Sequence, residues 1–239
     1  MINSTTNFRV KQWNKLKLKA NRDKEKLFLV EGFHLLNEAN KTGLIKEVIT
    51  TDKNTSFDVP THLVNSDVME FLSQMATPTK IIGICKQNVS QTITDKVLLI
   101  DEIHHPGNLG TIIRSAIAFN FHTIIVNNSV DIYNPKLIQA TQGMIFHANI
   151  QKKLLSDVIP DLKNKNYQII GTEVHKGEDI RSLKLQEKVA VLMGNEKKGA
   201  SADLLSLCDV VTNIKMNEKC ESLNVGVAAG IVLFCISGL

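Results

Sequence analysis

Short runs of consecutive apolar residues, separated by stretches with helical periodicity, dominate the chain from residue 97 onward. The runs do not alternate with polar residues, which is typical of strands buried on both faces of a parallel sheet. They occupy Val97–Ile100, Thr123–Val126, Gln168–Gly171, Val189–Met193 and Val210–Ile214. Because strands alternate with helical stretches, this part of the chain predicts an α/β domain with a parallel sheet.

The first ninety residues repeat this alternation on a smaller scale. Strands are predicted at Leu27–Val30, Lys46–Thr50 and Lys80–Cys85, and helices from Gly32 to about Asn40 and over Asp67–Met75. The polar stretch 86–95 contains few large apolar groups, which predicts a linker. The sequence therefore predicts a small α/β domain over residues 1–90 and a larger one over residues 91–239.

The net charge of +4 is concentrated in the first of these domains. Residues 1–90 contain 13 basic and 9 acidic side chains, whereas residues 91–239 contain 15 of each. Within residues 9–26 there are eight basic and two acidic side chains, a local charge of +6. Such a local basic stretch is the electrostatic footprint of a surface that binds a polyanion.

The basic stretch has the periodicity of a single helix. Side chains at spacings of three and four share one helical face, and here that face holds Lys11, Lys15, Lys19, Arg22 and Lys26. A solvated surface face is the ordinary explanation of such a stripe. A face that contacts RNA is the alternative, and it gains weight if the rest of the chain points to RNA.

Several classes of protein are disfavoured by what the sequence lacks. No apolar run approaches the roughly 18 residues of a membrane-spanning helix, and the first residues have no apolar core of a signal peptide, so we expect a cytoplasmic protein with no membrane partner. The four cysteines have no paired spacing, so reduced and mostly buried thiols are expected. His104 and His105 are adjacent and point apart on most backbones, so no metal site is expected.

The first candidate loop follows the run Val97–Ile100. In open α/β sheets, ligands bind beyond the carboxyl ends of the strands, and this end is followed by a Pro-Gly-Asn turn that begins a helix. Asn108 can cap that helix. Arg114 lies off the apolar stripe of the helix and can point beyond the sheet. Without further evidence, Asn108 would be interpreted as a helix cap and Arg114 as an ordinary surface arginine.

The second candidate loop, Gly194–Ser201, directly follows the run Val189–Met193. It nearly matches a phosphate-binding P-loop, but Ala200 stands where that motif needs lysine. Glu196 would in addition repel phosphate. We therefore disfavour nucleotide triphosphate hydrolysis, although a nucleotide-dependent enzyme stays open as an alternative. A backbone cradle for a ligand without phosphates is favoured, and S-adenosylmethionine fits that description.

The third candidate loop runs from Ile214 to the start of an apolar helix near Val225. Ser222 and Asn224 stand just before this helix, where polar side chains are usually caps. One cap is sufficient, which leaves the other side chain free for another role.

The three loops, in this order, resemble the SpoU/TrmH-type RNA 2′-O-methyltransferases of the SPOUT superfamily over residues 97–236. The matching motifs are Asn108-Leu109-Gly110 with Arg114, Gly194-Asn195-Glu196 with Gly199 and Ser201, and Glu221-Ser222-Leu223-Asn224-Val225. The N-terminal part also resembles the substrate-binding domain of this group, through its basic helix and Phe28-Leu29-Val30-Glu31-Gly32.

The resemblance implies a parallel sheet with a deep trefoil knot near the C-terminus, a homodimer, and S-adenosylmethionine as cofactor. It implies methyl transfer to a ribose 2′-hydroxyl of RNA. Ribosomal RNA is preferred over transfer RNA, because a separate basic domain resembles the members that modify rRNA. An RNA-binding protein that keeps the fold but has lost catalysis is the alternative.

The resemblance also implies residue roles. Arg114 is the key catalytic residue, while Asn108, Ser222 and Asn224 position the cofactor and the ribose, and Glu196 braces the site. The residues implied to hold the cofactor are Met193, Gly194, Asn195, Gly199, Ile214, Met216, Ser222 and Leu223. The chain departs from the family pattern at His105 (usually Asp), Asn120 (usually Gly), Lys197 (usually Gly) and Lys215 (usually Pro).

Overall fold

A computed structural model describes residues 1–88 and 92–239 of the chain, which packs as two compact units. One unit comprises Met1–Asn88 together with Tyr133–Phe146, and the other comprises Val89–Ile132 and His147–Leu239. The predicted domain boundary between residues 90 and 91 lies outside the described residues, as does the middle of the predicted linker 86–95. The segment 133–146 follows that boundary in sequence, yet it packs with the first unit.

The first unit is built on a sheet of strand order β1-β4-β2-β3. Strand β4 is antiparallel to both β1 and β2, whereas β2 and β3 are parallel. The elements are α1 (Phe8–Lys15), α2 (Lys19–Glu25), β1 (Leu27–Glu31), α3 (Phe33–Lys41), β2 (Ile45–Thr50), β3 (Thr61–Leu63), α4 (Ser66–Leu72) and β4 (Ile81–Lys86). Apolar side chains of α1, α4 and the sheet form a shared core around Trp13, Ile49 and Leu72.

The prediction of a single basic helix is wrong, because α1 ends at Lys15 and α2 begins at Lys19. The last carbonyl groups of a helix have no partner within it and must find one elsewhere. Here the Arg22 guanidinium donates to the carbonyl oxygens of Leu16 and Lys17, at 2.9 and 2.7 Å. Arg22 thereby satisfies the end of α1 and stabilises the break between the two helices.

The second unit contains a sheet of order β7-β6-β5-β10-β8-β11-β9, in which the described strand pairs are parallel. This confirms the predicted α/β fold with a parallel sheet. From residue 92 onward the elements are β5 (Lys96–Asp101), α5 (Pro106–Ala118), β6 (Thr123–Asn127), α6 (Pro135–Ala140), β7 (Asn149–Lys152), α7 (Leu155–Asn164), β8 (Gln168–Thr172), β9 (Glu178–Asp179), β10 (Val189–Met193), α8 (Ala202–Ser206), β11 (Val210–Asn213) and α9 (Val225–Ser237). Of these, α6 belongs to the first unit.

Every residue of β10 is buried, as its continuous apolar run predicts. Alternate residues of β5 and β10, including Leu99 and Leu192, pack against Leu155 and Ile159 of α7. Because β10 lies between β5 and β8, its carboxyl end is next to that of β5. This register brings the first and second candidate loops to the same edge of the sheet.

Helix α9 packs closely on α5 through its glycines. A Cβ atom on Gly226 would lie 3.1 Å from the Thr111 methyl carbon, and one on Gly230 would lie 3.7 Å from the Ser115 hydroxyl. Small residues therefore permit the two helices to approach closely. Within the described ranges, no helix is both long enough and apolar enough to cross a membrane.

The outer face of α9 carries exposed apolar side chains at the spacing of one helical stripe. Val227, Ile231 and Phe234 are 52%, 36% and 56% exposed. We call these three residues the α9 stripe. The Phe234 ring also meets the Phe119 ring edge-on, with centroids 5.7 Å apart. The α9 stripe therefore borders the C-terminal end of α5.

The cysteines differ in environment. Cys85 is buried, Cys208 and Cys235 are half-buried, and Cys220 is exposed. The prediction that most thiols are buried is therefore wrong. Burial raises the pKa of the Cys208 thiol to about 11, despite the opposing charge of Lys163, so this thiol is held in its neutral form.

Candidate active site

The loop after β5 begins with a tight left-handed turn. Glu102 has φ of +56°, and its carbonyl oxygen accepts a hydrogen bond from the Asn195 side-chain amide at 2.9 Å. His105 then begins α5, because its Nδ1 atom accepts from the Asn108 backbone N–H at 3.3 Å. The prediction that Asn108 caps this helix is wrong. Asn108 lies in the first turn, so its side chain is available for other contacts.

The second loop folds back on itself between Asn195 and Gly199, whose backbone groups exchange two hydrogen bonds of 2.9 Å. A Cβ atom on Gly194 would lie 1.8 Å from the Ala200 nitrogen, so only glycine fits at the base of this loop. Gly199 has φ of +70°, a left-handed conformation that favours glycine. The loop is therefore a preformed backbone turn directly beyond β10.

The third loop connects β11 to α9 and is anchored at its far end by Asn224. The Asn224 Oδ1 atom accepts from the backbone N–H groups of Gly226 and Val227 at 2.9 and 3.4 Å, so Asn224 is the helix cap. Ser222 is exposed, and its carbonyl oxygen accepts from the Cys220 thiol at 3.4 Å. The expectation that one of these two polar residues caps the helix is confirmed for Asn224.

Asn108 joins all three loops. Its side-chain amide donates to the Glu196 Oε1 atom at 3.2 Å, and its Oδ1 atom accepts from the Asn224 amide at 3.1 Å. Glu196 Oε1 also accepts from the His105 backbone N–H at 3.4 Å. The hydrogen-bonded series Glu196–Asn108–Asn224 therefore connects residues that are far apart in sequence, and we call it the three-loop series.

Glu196 is held in its ionised form. Partial burial acts to raise the pKa of its carboxyl group. Hydrogen bonds from its own backbone, from the Asn108 amide and from the backbone of His105 and His104 act in the other direction and outweigh burial. The net result is a pKa below the ordinary value of 4.5, so the carboxylate is charged at neutral pH.

Arg114 is exposed on α5, two turns beyond Asn108. Its guanidinium makes no hydrogen bond or ion pair with any residue that the structure describes. Its neighbours along the helix surface are Thr111, three residues earlier, and Ala118, four residues later. Of these two, Thr111 lies against Gly226 of α9.

The residues predicted to hold the cofactor lie in two loops of the second unit. Met193, Gly194, Asn195 and Gly199 follow β10, with Met193 and Gly194 buried. The others lie in the third loop: Ile214, Met216 and Leu223 are half-buried, and Ser222 is exposed. In the part of the chain that the structure describes, no group of three His, Cys, Asp or Glu side chains could hold a metal ion.

Sequence reasoning missed Asp101, a buried carboxylate at the end of β5. Its two oxygens accept from the Asn127 amide at 3.0 Å and from the Ser201 backbone N–H at 3.3 Å. Asp101 thus links Ser201, at the end of the second loop, to the carboxyl ends of β5 and β6. The sequence contains one sign of this contact, because a polar residue, Asp101 or Asn127, directly follows each of the apolar runs Val97–Ile100 and Thr123–Val126.

The basic residues predicted to contact RNA lie in the first unit and have different environments. Lys11 and Lys15 are exposed on α1, and Lys26 is exposed just after α2. Lys19 is also exposed but forms an ion pair with Asp23 at 2.5 Å. Arg22 is buried, and its guanidinium faces the carbonyl groups at the end of α1 rather than solvent.

A family model described as the SpoU rRNA methylase family matches residues 95–234, which include all three loops. The chain belongs to the SpoU family. A second family model, described as the MRM3-like substrate binding domain, matches residues 7–83. Both predicted resemblances are thereby confirmed.

Similar proteins match this SpoU chain over nearly its whole length. The 23S rRNA (guanosine(2553)-2′-O)-methyltransferase RlmP of Bacillus subtilis is 32% identical over 245 residues, or 99% of each chain. The AdoMet-bound rRNA methyltransferase from Sinorhizobium meliloti is 28% identical, with a TM-score of 0.87 over 98% of this chain and 96% of that chain. The SpoU methyltransferase AviRb from Streptomyces viridochromogenes, at 23% identity, has a TM-score of 0.83 over 97% of each chain and supports the fold alone.

Proposed function

We propose that this chain transfers a methyl group from S-adenosylmethionine to a ribose 2′-hydroxyl of ribosomal RNA, with transfer RNA as the second candidate substrate. The observation that carries the proposal is the three-loop series Glu196–Asn108–Asn224 at the carboxyl edge of a parallel sheet in a SpoU family member. The name of the full-length relative RlmP supports rRNA and the 2′-hydroxyl as the target.

The second and third loops fit a cofactor that has no phosphate groups. The Glu196 carboxylate attracts a sulfonium cation and would repel a phosphate. The Asn213 Oδ1 atom, at the end of β11, is buried without a hydrogen-bond partner among the described residues and offers an acceptor. We propose that the backbone around Gly194 and Leu223 holds the adenosine, together with Met193, Asn195, Gly199, Ile214, Met216 and Ser222.

When bound, S-adenosylmethionine supplies a methyl group that is already activated by its sulfonium charge. The main task of the protein is then to align the ribose oxygen, and alignment of this kind can lower a barrier by about 7–11 kcal/mol. We assign the alignment of ribose and cofactor to Asn108, Ser222 and Asn224. Glu196 holds Asn108 in place through the hydrogen bond between their side chains.

Arg114 is proposed to hold the RNA at the reacting ribose. A guanidinium stays protonated in proteins, so it is unsuited to accept the 2′-hydroxyl proton itself. Its planar set of donors matches a phosphate group. We propose that Arg114 binds a phosphate next to the target ribose, and that this phosphate or a water molecule accepts the proton.

The region 1–90 is proposed as the RNA-binding domain and 91–239 as the methyltransferase domain. The match of residues 7–83 to a substrate-binding family model supports the first assignment. We retain Lys11, Lys15, Lys19 and Lys26 as candidate phosphate contacts and leave out Arg22, which is buried. An rRNA substrate favours a cytoplasmic location, where ribosomes are present.

A homodimer is proposed because the α9 stripe leaves three apolar side chains exposed beside α5. Helix α9 begins at its cap Asn224, which belongs to the three-loop series, so a second copy on the stripe would lie near that series. A deep knot is also proposed. Its support is that the chain belongs to the SpoU family, since the knot is what the resemblance to that family implies.

The proposed function is tested by incubating the purified full-length chain with methyl-tritiated S-adenosylmethionine and unmodified 23S rRNA, 16S rRNA or tRNA. We expect label in 23S rRNA, and none with the Arg114→Ala variant. Mapping starts at the nucleotide that corresponds to the one in the name of RlmP. Label in tRNA alone would overturn the rRNA assignment. Cofactor binding without label in any RNA would favour the non-catalytic alternative.

A further inference from the structure

The first unit contains a groove of about 470 Å³ that the methyl-transfer chemistry does not use. Its floor is apolar, formed by Trp13, Leu16, Leu27 and Ile84. Its rim is polar and is contributed by α1, α2 and the strands β2 and β3. More than half of the lining residues are polar or charged, including Glu25. The volume falls within the usual range of a small-ligand site, about 300–1,000 Å³.

One wall of the groove is held by a series of polar contacts. The His62 Nε2 atom lies 3.0 Å from the Glu47 carboxylate, and the Arg9 Nη1 atom lies 3.3 Å from the His62 ring nitrogens. The Trp13 ring packs against the same imidazole, with centroids 5.2 Å apart. The guanidinium of Arg9 and the indole of Trp13 therefore both contact the His62 ring.

The rim adds an exposed aromatic ring and exposed positive charge. Phe8 lines the groove with 73% of its surface exposed. Lys15 and Lys46 line it from α1 and β2 and are exposed as well. An exposed ring next to cations is the combination that binds single-stranded nucleic acid, because bases stack on the ring while cations contact the backbone phosphates.

We propose that this groove binds one unpaired nucleotide of the RNA substrate, with its base against Phe8 and its phosphates at Lys15 and Lys46. The proposal rests on the proposed function, since that function supplies RNA as the ligand. An unpaired nucleotide is favoured over a duplex because its base is free to stack on an aromatic side chain. The groove would thus hold an RNA segment separate from the reacting ribose.

Trp13 provides a direct signal, because it is the single tryptophan of the chain and lies in the groove floor. The full-length protein is titrated with a ten-nucleotide unstructured RNA while tryptophan fluorescence is recorded. A duplex RNA of the same length and inorganic tripolyphosphate are titrated in parallel. We expect saturable quenching by the single strand, and much weaker quenching by the duplex and by the polyanion.

Two variants separate the contribution of base stacking to RNA affinity from the contribution of phosphate contacts. Phe8→Ala should weaken single-strand binding by about 5- to 150-fold, the usual effect of losing one base–aromatic stack. The matched control is Phe33→Ala on α3, which is 46% exposed and does not line the groove, and its affinity should be unchanged. Lys46→Gln should reduce the slope of log affinity against log salt by about 0.7, the value for one phosphate contact to a single strand.

Equal quenching by tripolyphosphate, or equal affinity of Phe8→Ala and Phe33→Ala, would overturn the groove assignment. A methylation assay on the same proteins separates a failure of the groove proposal from a failure of the methyltransferase proposal. If the wild type methylates rRNA while Phe8→Ala binds and methylates equally well, the groove proposal fails and the methyltransferase proposal stands. If the wild type methylates no RNA but Phe8 is required for single-strand binding, the methyltransferase proposal fails instead.

Discussion

Arg114 combines an exposed side chain with a position six residues after Asn108 on α5, which supports a role in holding RNA rather than in folding. We expect Arg114→Ala to slow methyl transfer by about 100-fold or more, and so to give no detectable label in the time that the wild type needs to label rRNA, since misplacing a reactant by about 1 Å can have that effect. The affinity for S-adenosylmethionine should stay nearly unchanged, as measured by calorimetry. Arg114→Lys should be intermediate, because lysine keeps the charge but lacks the planar donor set.

An equal loss of cofactor affinity and of transfer rate in Arg114→Ala would contradict this assignment. It would mean that Arg114 supports the folded loops rather than the RNA. Single-turnover kinetics with saturating cofactor separates the two outcomes.

Glu196 gives the site a defined dependence on pH. Its pKa in the folded chain lies below 4.5, so its stabilising contribution is fully present above about pH 4.5 and is lost as pH falls through the folded-state value. We expect Glu196→Gln to lower the urea midpoint at pH 7. The difference from wild type should shrink below pH 4.5. A difference that is the same at pH 7 and in acid would show that ionisation of Glu196 is not what matters.

The sequence identified the residues of the three-loop series but not their contacts. Asn108 and Glu196 stood out in loops that follow predicted strands, Asn224 stood out just before an apolar helix, and the resemblance to the family grouped the three. The cap of α5 was misassigned to Asn108, because a cap is decided by backbone angles, and His105 has the extended ones. Asp101 was missed because its partners Asn127 and Ser201 come from other loops, which periodicity does not bring together.

Among the elements, strands with a continuous apolar run were predictable, including the edge strand β1, whereas short polar strands were not. The runs in β5, β6, β8 and β10 are apolar because their side chains are mostly buried. The edge strands β3, β7 and β9 are short and carry polar residues, so they lack this signal. The break between α1 and α2 was also hidden, because helical periodicity continues across it.

The break between α1 and α2 predicts a stability effect for Arg22. Arg22→Ala should lower the free energy of unfolding by about 1–3 kcal/mol, since the carbonyl groups of Leu16 and Lys17 would lose their donor. Urea unfolding followed by Trp13 fluorescence measures this in the first unit. The control Lys24→Ala, at an exposed position of α2, should have little effect. Equal stability of the two variants would exclude a structural role for Arg22.

For the molecule as a whole, the segment 133–146 shows what local patterns cannot predict. Tyr133 and Phe146 pack on the Phe28 ring, with centroids 4.5 and 6.2 Å away, although about a hundred residues separate them in sequence. Hydrophobic periodicity indicates which side of a helix or strand is buried, but it does not indicate which element packs against that side. The assignment of this segment to the first unit therefore required the structure.

The α9 stripe predicts the state of association. Phe234→Asp should convert a dimer into a monomer, because it places a charge within the apolar stripe, and methyl transfer should fall with it. Analytical ultracentrifugation measures the mass. The matched control is Leu185→Asp, at a residue that is 41% exposed outside the stripe, and it should leave mass and activity unchanged. A wild-type chain that sediments as a monomer would rule out the dimer.

The most direct test of the central claim is the chemical position of the transferred methyl group. RNA labelled by this chain with tritiated S-adenosylmethionine is hydrolysed in alkali, which cleaves only next to a free 2′-hydroxyl. Ribose methylation predicts that the label is recovered in an alkali-resistant dinucleotide, and that Arg114→Ala yields none. Label recovered in ordinary mononucleotides would mean that a base is methylated, and would contradict the assignment of the 2′-hydroxyl.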